Sequence, residues 1–272
     1  MVRNLAMLIG AAFVAVLGWA LIGSISGVIT DPPAATAAEE FFLHPKEVSF
    51  SSDGVFGTYD KRQLQRGLQV YKEVCSNCHS LSHVTFHDLG DLGYSDGQVK
   101  KFAADWGVKH PELDPKTGTW GERPNLPSDK FPTVYYPGQG NPPDLSLITK
   151  ARHDGPAYVY SLLTGYAEQP AALLKKFPDA KSPDGTYYNP YFANLNIAMP
   201  PPLTSDGQIT YLDGTKSTVQ QNAKDIAAFL TWAAEPKLEA RHTAGFASVI
   251  FLLIFCFLAW GAYQNVWRDK EH

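Results

Sequence analysis

Cys75-Ser76-Asn77-Cys78-His79 is the stretch on which the reading of this chain turns. Two cysteines three positions apart on a helical turn can both reach the vinyl groups of a porphyrin as thioethers. The histidine that follows is then delivered to the iron as the proximal ligand, and C-x-x-C-H is the attachment motif for c-type haem. Three other chemistries use paired cysteines: a redox dithiol, half of a zinc site and a structural disulfide. A redox pair does not require His79 and sits in a βαβ pattern that the hydrophobic periodicity does not suggest. A zinc site needs further ligands close by, and the chain has only one more cysteine, Cys256. The motif occurs once, so the expectation is one covalently bound haem c per chain.

Upstream, Leu64, Leu68, Tyr71, Val74 and Cys75 recur at helical spacing between Gln63 and Val74. The motif therefore closes a helix whose apolar face packs on the core. Iron also needs a second axial ligand, or an open position. The three methionines are Met1, Met7 and Met199, and the first two precede or lie in an apolar N-terminal run. If ligation is His/Met, the ligand is Met199 by elimination. Its setting, Ile197-Ala198-Met199-Pro200-Pro201-Pro202, stiffens a loop around the thioether. The bland reading of Met199 is a gap-filling core residue. Bis-histidine ligation through His83, His87, His110 or His153 is the competitor, with His83 and His87 too near His79 to reach the opposite face.

Other segments read as scaffold. Asp144-Leu145-Ser146-Leu147-Ile148 starts an apolar periodic stretch, and Tyr158, Val159, Leu162 and Leu163 continue a helix ending near Gly165. Ile226, Phe229, Leu230 and Trp232 predict an amphipathic helix over 222–234. Thr218-x-x-Gln221 is a candidate capping box ahead of it, and Pro236 ends it. Small c-type cytochromes pack such a late helix across the haem helix. Residues 107–145 form a long Gly/Pro-rich excursion, too long for a structureless loop without a functional or partner-facing surface. Asp88, Asp91 and Asp96 follow the motif closely and could steer a basic redox partner.

The ends are apolar. Ala244 to Tyr263 runs about 20 residues without a charge, matching a hydrocarbon core of roughly 30 Å. Trp260, Tyr263 and Trp267 lie where an interfacial aromatic belt would, followed by Arg268 and Lys270. Arg3 precedes a second apolar run, Leu5 to Ile29. This reads as a signal peptide cleaved after Ala38, towards which the reading leans, or as an uncleaved anchor. The expected layout is signal or anchor over 1–38, periplasmic haem domain over 39–242, transmembrane helix over 243–264 and cytoplasmic tail over 265–272. No Arg-rich amphipathic presequence is present, which favours a bacterial inner membrane. Charged residues are only 18% of the chain, a deficit confined to these ends. A net charge of −4 offers no basic surface for nucleic acid, and three cysteines exclude a disulfide-dense scaffold.

Taken together these residues resemble cytochrome c1, the haem c subunit of the quinol–cytochrome c oxidoreductase (bc1) complex. The resemblance runs through Gly67 to Cys75, Gly121-Glu-Arg-Pro124, Pro142-Pro-Asp-Leu-Ser146 and Ala151-Arg-His-Asp-Gly155. It continues through Tyr158 to Tyr166, Asn189-Pro-Tyr191, Ile197 to Pro201 and Ala223 to Pro236, covering roughly Phe56 to the end. It implies a mainly α, class I c-type cytochrome-like haem domain with long irregular loops, a C-terminal transmembrane helix and an N-terminal apolar helix. It implies Cys75 and Cys78 as thioether attachments and His79 and Met199 as axial ligands. The implied partners are cytochrome b, the Rieske iron–sulfur protein as electron donor, a soluble or membrane-anchored cytochrome c as acceptor, and the lipid bilayer, in a dimeric complex. Two features depart from the family. The segment Tyr136-Pro-Gly-Gln-Gly-Asn141 is short and lacks the usual arginine near a haem propionate, leaving Arg123 or Arg152 as substitutes. A second cysteine pair, found in some bacterial members, is absent from the haem domain. The alternatives are an anchored cytochrome c donating to a terminal oxidase or photosynthetic centre, and a haem peroxidase with an open sixth site.

Overall fold

The computed structural model describes residues 2–30, 32, 34–138 and 140–270. Met1, Asp31, Pro33, Gln139 and the last two tail residues, Glu271 and His272, lie outside them. The described residues are mainly helical: α1 (Val2–Thr30), α2 (Ala37–Phe41), α3 (Lys61–Glu73), α4 (Asp96–Ala104), α5 (Gly155–Leu163), α6 (Ala171–Lys176), α7 (Val219–Ala234) and α8 (Leu238–Trp267). Strands are confined to two small antiparallel pairs, β1 (His110–Leu113) with β2 (Trp120–Arg123), and β3 (Tyr187–Tyr188) with β4 (Asn196–Ile197). The helices α1 and α8 are each long and apolar enough to cross a membrane, and among the described residues their apolar stretches are exposed.

The haem-motif helix α3 starts where Asp60 accepts from the amides of Arg62 and Gln63 at 3.0 and 3.3 Å. Its Leu64, Gly67, Leu68 and Tyr71 are buried at the 3.6-residue spacing of one face. That face crosses α7, most of which is buried. The crossing is close because Gly67 has no side chain: a Cβ there would lie 2.2 Å from the Asp225 carbonyl oxygen and 2.5 Å from the Phe229 Cβ. Gly67→Ala should therefore lower stability by about 1–3 kcal/mol through overpacking. That outweighs the gain in helix propensity of roughly 1 kcal/mol. The check is a lower thermal midpoint of the holoprotein, and a rise would mean that propensity wins. Aromatic rings close the core around Tyr71, with Trp106, Phe131 and Phe229 centroids at 6.3, 5.9 and 6.0 Å.

Three expectations change in detail. Thr218 caps α7 by accepting from the Gln221 amide at 3.1 Å, but the Gln221 side chain reaches Asp225 at 2.8 Å instead of turning back. The capping box is thus half formed, because a buried carboxylate is the stronger acceptor. The apolar run from Leu145 makes turns, and a helix begins only at Gly155. Pro156 is the reason, since the residue before a proline is pushed out of the helical region, and Asp154 and Gly155 take φ of 59° and 42°. Residues 107–145 contain the β1–β2 hairpin, its turn closed by Gly118 N–H to the Asp114 carbonyl at 2.9 Å.

A second, smaller core of Leu173, Tyr188 and Leu195 is covered by Phe41, Phe42 and Phe177. The helix α2 supplies Phe41, whose ring meets Phe177 edge-on at 6.3 Å. It is opened by a full capping box between Thr36 and Glu39, with the Thr36 amide donating to the Glu39 carboxylate at 2.7 Å.

Candidate haem-binding site

The helix α3 ends at Glu73, and a 3₁₀ turn over Cys75–Asn77 follows, held by Cys78 N–H and His79 N–H on the Cys75 carbonyl at 3.1 and 2.9 Å. This turn opens Cys75, Cys78 and His79 onto a cavity of about 640 Å³. That volume is in the range of small-molecule and cofactor sites, about 300–1,000 Å³. Its walls are mostly apolar, from Leu145, Ile148, Val159, Leu162, Ile226 and Leu230. Met199 and Arg152 line the same cavity.

The His79 ring is oriented by its Nδ1–H, which donates to the Pro143 carbonyl at 2.8 Å. That bond sets the tautomer and leaves Nε2 with a free lone pair. Burial pushes the His79 pKa down, keeping the imidazole in the neutral form that binds metal. The Tyr71 hydroxyl donates to the His79 carbonyl at 3.0 Å, tying the motif back to α3. Pro143 is held in turn by Asp144, whose carboxylate accepts from the Ser82 amide and hydroxyl at 2.9 and 2.7 Å and from the Ser146 amide at 2.8 Å. Sequence reasoning about the site passed over Pro143 and Asp144; the Asp-x-Ser turn signal was the available clue.

Burial pushes the Cys75 thiol up to about 12, so Cys75 is not an activated thiol. Among the described residues, no three His, Cys, Asp or Glu side chains gather as a metal-binding group, so a zinc-type set is not assembled. Met199 lies on the loop after β4, where its carbonyl accepts from the Tyr166 hydroxyl at 3.0 Å. The loop follows Leu195, a buried residue held at φ 65° by its packing in the second core. Such a conformation costs roughly 1–3 kcal/mol and persists only where its surroundings enforce it. Of the competing histidines, His83, His87 and His153 are exposed, and His110 faces Asp129 at 3.8 Å. Among the described residues His79 is the one histidine in the cavity lining.

The family profile described as Cytochrome C1 matches residues 50–270. The chain belongs to the cytochrome C1 family. It is 38% identical over 264 residues to cytochrome c1 of Rhodospirillum rubrum, covering 91% of this chain and 96% of that one. It is 38% identical over 226 residues to the mitochondrial cytochrome c1 heme protein of Saccharomyces cerevisiae, covering 80% and 70%. A cytochrome b/c1 of Bradyrhizobium diazoefficiens is 42% identical over 250 residues, 84% of this chain, and the match spans 36% of that longer protein.

As a cytochrome C1 family member, the chain carries haem c covalently and serves electron transport as the c1 subunit of a bc1 complex. The residues present fit the group: an apolar cavity, a neutral and oriented imidazole, and two thiols on the turn beside it. Of the two candidate propionate partners, only Arg152 lines the cavity. Arg123 lies outside the lining and is engaged by Asp129 at 2.5 and 3.0 Å, an ion pair that holds the Asp129 carboxyl down to about 2. Arg123 therefore ties the β1–β2 hairpin to the loop that carries Asp129.

Proposed function

We propose that this chain takes an electron from the Rieske iron–sulfur protein and passes it to a cytochrome c, within a dimeric bc1 complex of a bacterial cytoplasmic membrane. Residues 39–242 form its periplasmic haem domain, 243–264 its membrane anchor and 265–272 a cytoplasmic tail. The observation that carries the reading is one cavity to which Cys75, Cys78, His79 and Met199 all contribute, in a domain continuous with α8. When bound, haem c supplies a single ferric/ferrous couple. Cys75 and Cys78 would hold it as thioethers, and His79 and Met199 would supply the nitrogen and sulfur ligands to its iron. Methionine ligation beside histidine would raise the potential, as suits the end of a high-potential chain. The bonds from Pro143, Tyr71 and Tyr166 fix both ligand-bearing segments, so little rearrangement accompanies a change of oxidation state. Arg152, on the cavity lining, would pair with a propionate in place of the arginine that the short 136–141 segment lacks. Cytochrome b as a neighbour is supported by the Bradyrhizobium relative, whose name joins b and c1.

Mild detergent solubilisation tests this. A b-type cytochrome and an iron–sulfur protein are expected to co-purify with the haem c subunit, and its isolation alone would favour an anchored cytochrome c. Docking is tested on the acidic surface after the motif. Asp91 and Asp96 are exposed there, whereas Asp88 is spent capping its own turn, accepting from the Thr85 amide at 2.7 Å. Reversing Asp91 and Asp96 should slow electron delivery to a basic cytochrome c at low ionic strength. The difference should fade as the Debye length shrinks to about 8 Å near physiological salt. A rate indifferent to both changes would exclude this patch.

We also infer that the leader is not cut after Ala38. Cleavage there would sever α2 after two residues and remove its Thr36 cap. The mature subunit should retain Thr36 on N-terminal sequencing, and a start at Glu39 would overturn the inference.

A further inference from the structure

The loop Ser52-Asp53-Gly54-Val55-Phe56-Gly57 presents two adjacent apolar side chains to the outside, Val55 74% and Phe56 78% exposed. It is a built turn. Thr58 N–H donates to the Ser51 carbonyl at 2.8 Å, and Gly57 N–H to the Gly54 carbonyl at 3.2 Å. Asp53, the one charged residue in the loop, is turned back onto the Phe50 amide at 2.7 Å. Gly57 is required, because a Cβ there would lie 2.1 Å from the Ser52 carbonyl oxygen.

The loop is also fastened to the start of α8. The Tyr59 amide donates to the Glu239 carboxylate at 2.7 Å, and its hydroxyl to the Glu235 carbonyl at 2.9 Å. The Phe56 ring meets Phe246 of α8 with centroids 6.1 Å apart. Phe246 is itself 57% exposed and is the third residue of the charge-free run Ala244–Tyr263. At a rise of 1.5 Å per residue it lies about 3 Å inside that run, whose 20 or so residues match the hydrocarbon thickness. Whatever sits beside Phe246 is therefore level with the boundary between headgroups and acyl chains.

We propose that Val55 and Phe56 form, with Phe246, an apolar foot that enters the lipid interface and sets the height and tilt of the haem domain on the bilayer. The occupant is lipid, because the foot continues the membrane-facing surface of α8, and its charge-free tip is what that boundary accepts. The proposal rests on α8 crossing the membrane.

The test uses the full holo-chain in phosphatidylcholine nanodiscs, with Cys256→Ala so that only an introduced cysteine takes a nitroxide, Cys75 and Cys78 being held as thioethers. Labels at Phe56→Cys and, separately, Val55→Cys are compared with one at Leu212→Cys, a position 97% exposed. Relaxation by oxygen, relative to a water-soluble nickel chelate, should be several-fold higher at 55 and 56 than at 212. A ratio equal to that at Leu212→Cys overturns the proposal by placing the loop in water. Exclusion of both reagents in the intact complex overturns it in favour of a protein contact. A label at Phe246→Cys separates the premise: if it too behaves as water-exposed, the reading of α8 fails, and if it alone is lipid-exposed, only the foot fails.

Discussion

Replacing Met199 with leucine should leave the haem attached and lower its reduction potential by on the order of 0.1–0.3 V, a sizeable part of the roughly 0.8 V that axial ligands span. Cys75, Cys78 and His79 remain, so attachment survives. The thioether that favours ferrous iron is lost. Leucine is close in volume, and such exchanges in a packed site cost less than about 1.5 kcal/mol, so a merely structural role would leave the potential nearly unchanged. The Tyr166 bond also survives, because it falls on the backbone carbonyl of residue 199. Redox titration with optical monitoring reads the result. The variant should also gain carbon monoxide binding at the opened position. Retention of both the potential and the six-coordinate spectrum would make Met199 a core residue only.

Asp225→Ala should destabilise the haem domain by about 3–5 kcal/mol, the usual consequence of removing one member of a buried ion pair. Asp225 is fully buried at the α3–α7 crossing, where it accepts from Arg66 Nε at 2.8 Å, Gln63 at 3.1 Å and Gln221 at 2.8 Å. Truncation leaves a largely buried guanidinium with only Asp213, at 2.8 Å, to answer it. Against a total stability of roughly 5–15 kcal/mol this is a large fraction. The thermal midpoint should fall by about 6–20 °C for a domain of this size. Asp225→Asn, which keeps an acceptor oxygen, should fall between. Asp225 does not line the haem cavity, so the potential should hold while the midpoint drops. A midpoint within a degree or two of the parent would show that the network is dispensable.

Local chemistry was legible in the chain. The C-x-x-C-H spacing, the unique methionine outside the N-terminal run, the amphipathic periods of α3 and α7 and the uncharged run before the tail each depend on neighbours within a turn or two. Side-chain type and spacing decide such features without the rest of the fold. The start of α5 at Gly155 shows the limit: the apolar pattern from Leu145 looked helical, yet Pro156 and the Asp144 turn overrule it. The arginines divide for a different reason. Arg123 and Arg152 are equivalent in sequence as cations, and only the folded chain brings Asp129 to Arg123 and sets Arg152 on the cavity.

Composition and spacing by themselves determined one haem-attachment motif, over residues 75–79, and two apolar runs long enough to cross a membrane. Tertiary structure alone decided that the Pro143 carbonyl orients His79, that Asp225 locks the helix crossing and that Phe56 stands level with the start of the span. Those three depend on contacts between residues 64, 159 and 162, and 190 positions apart. No local period encodes such pairings, because they exist only once packing has closed the chain on itself.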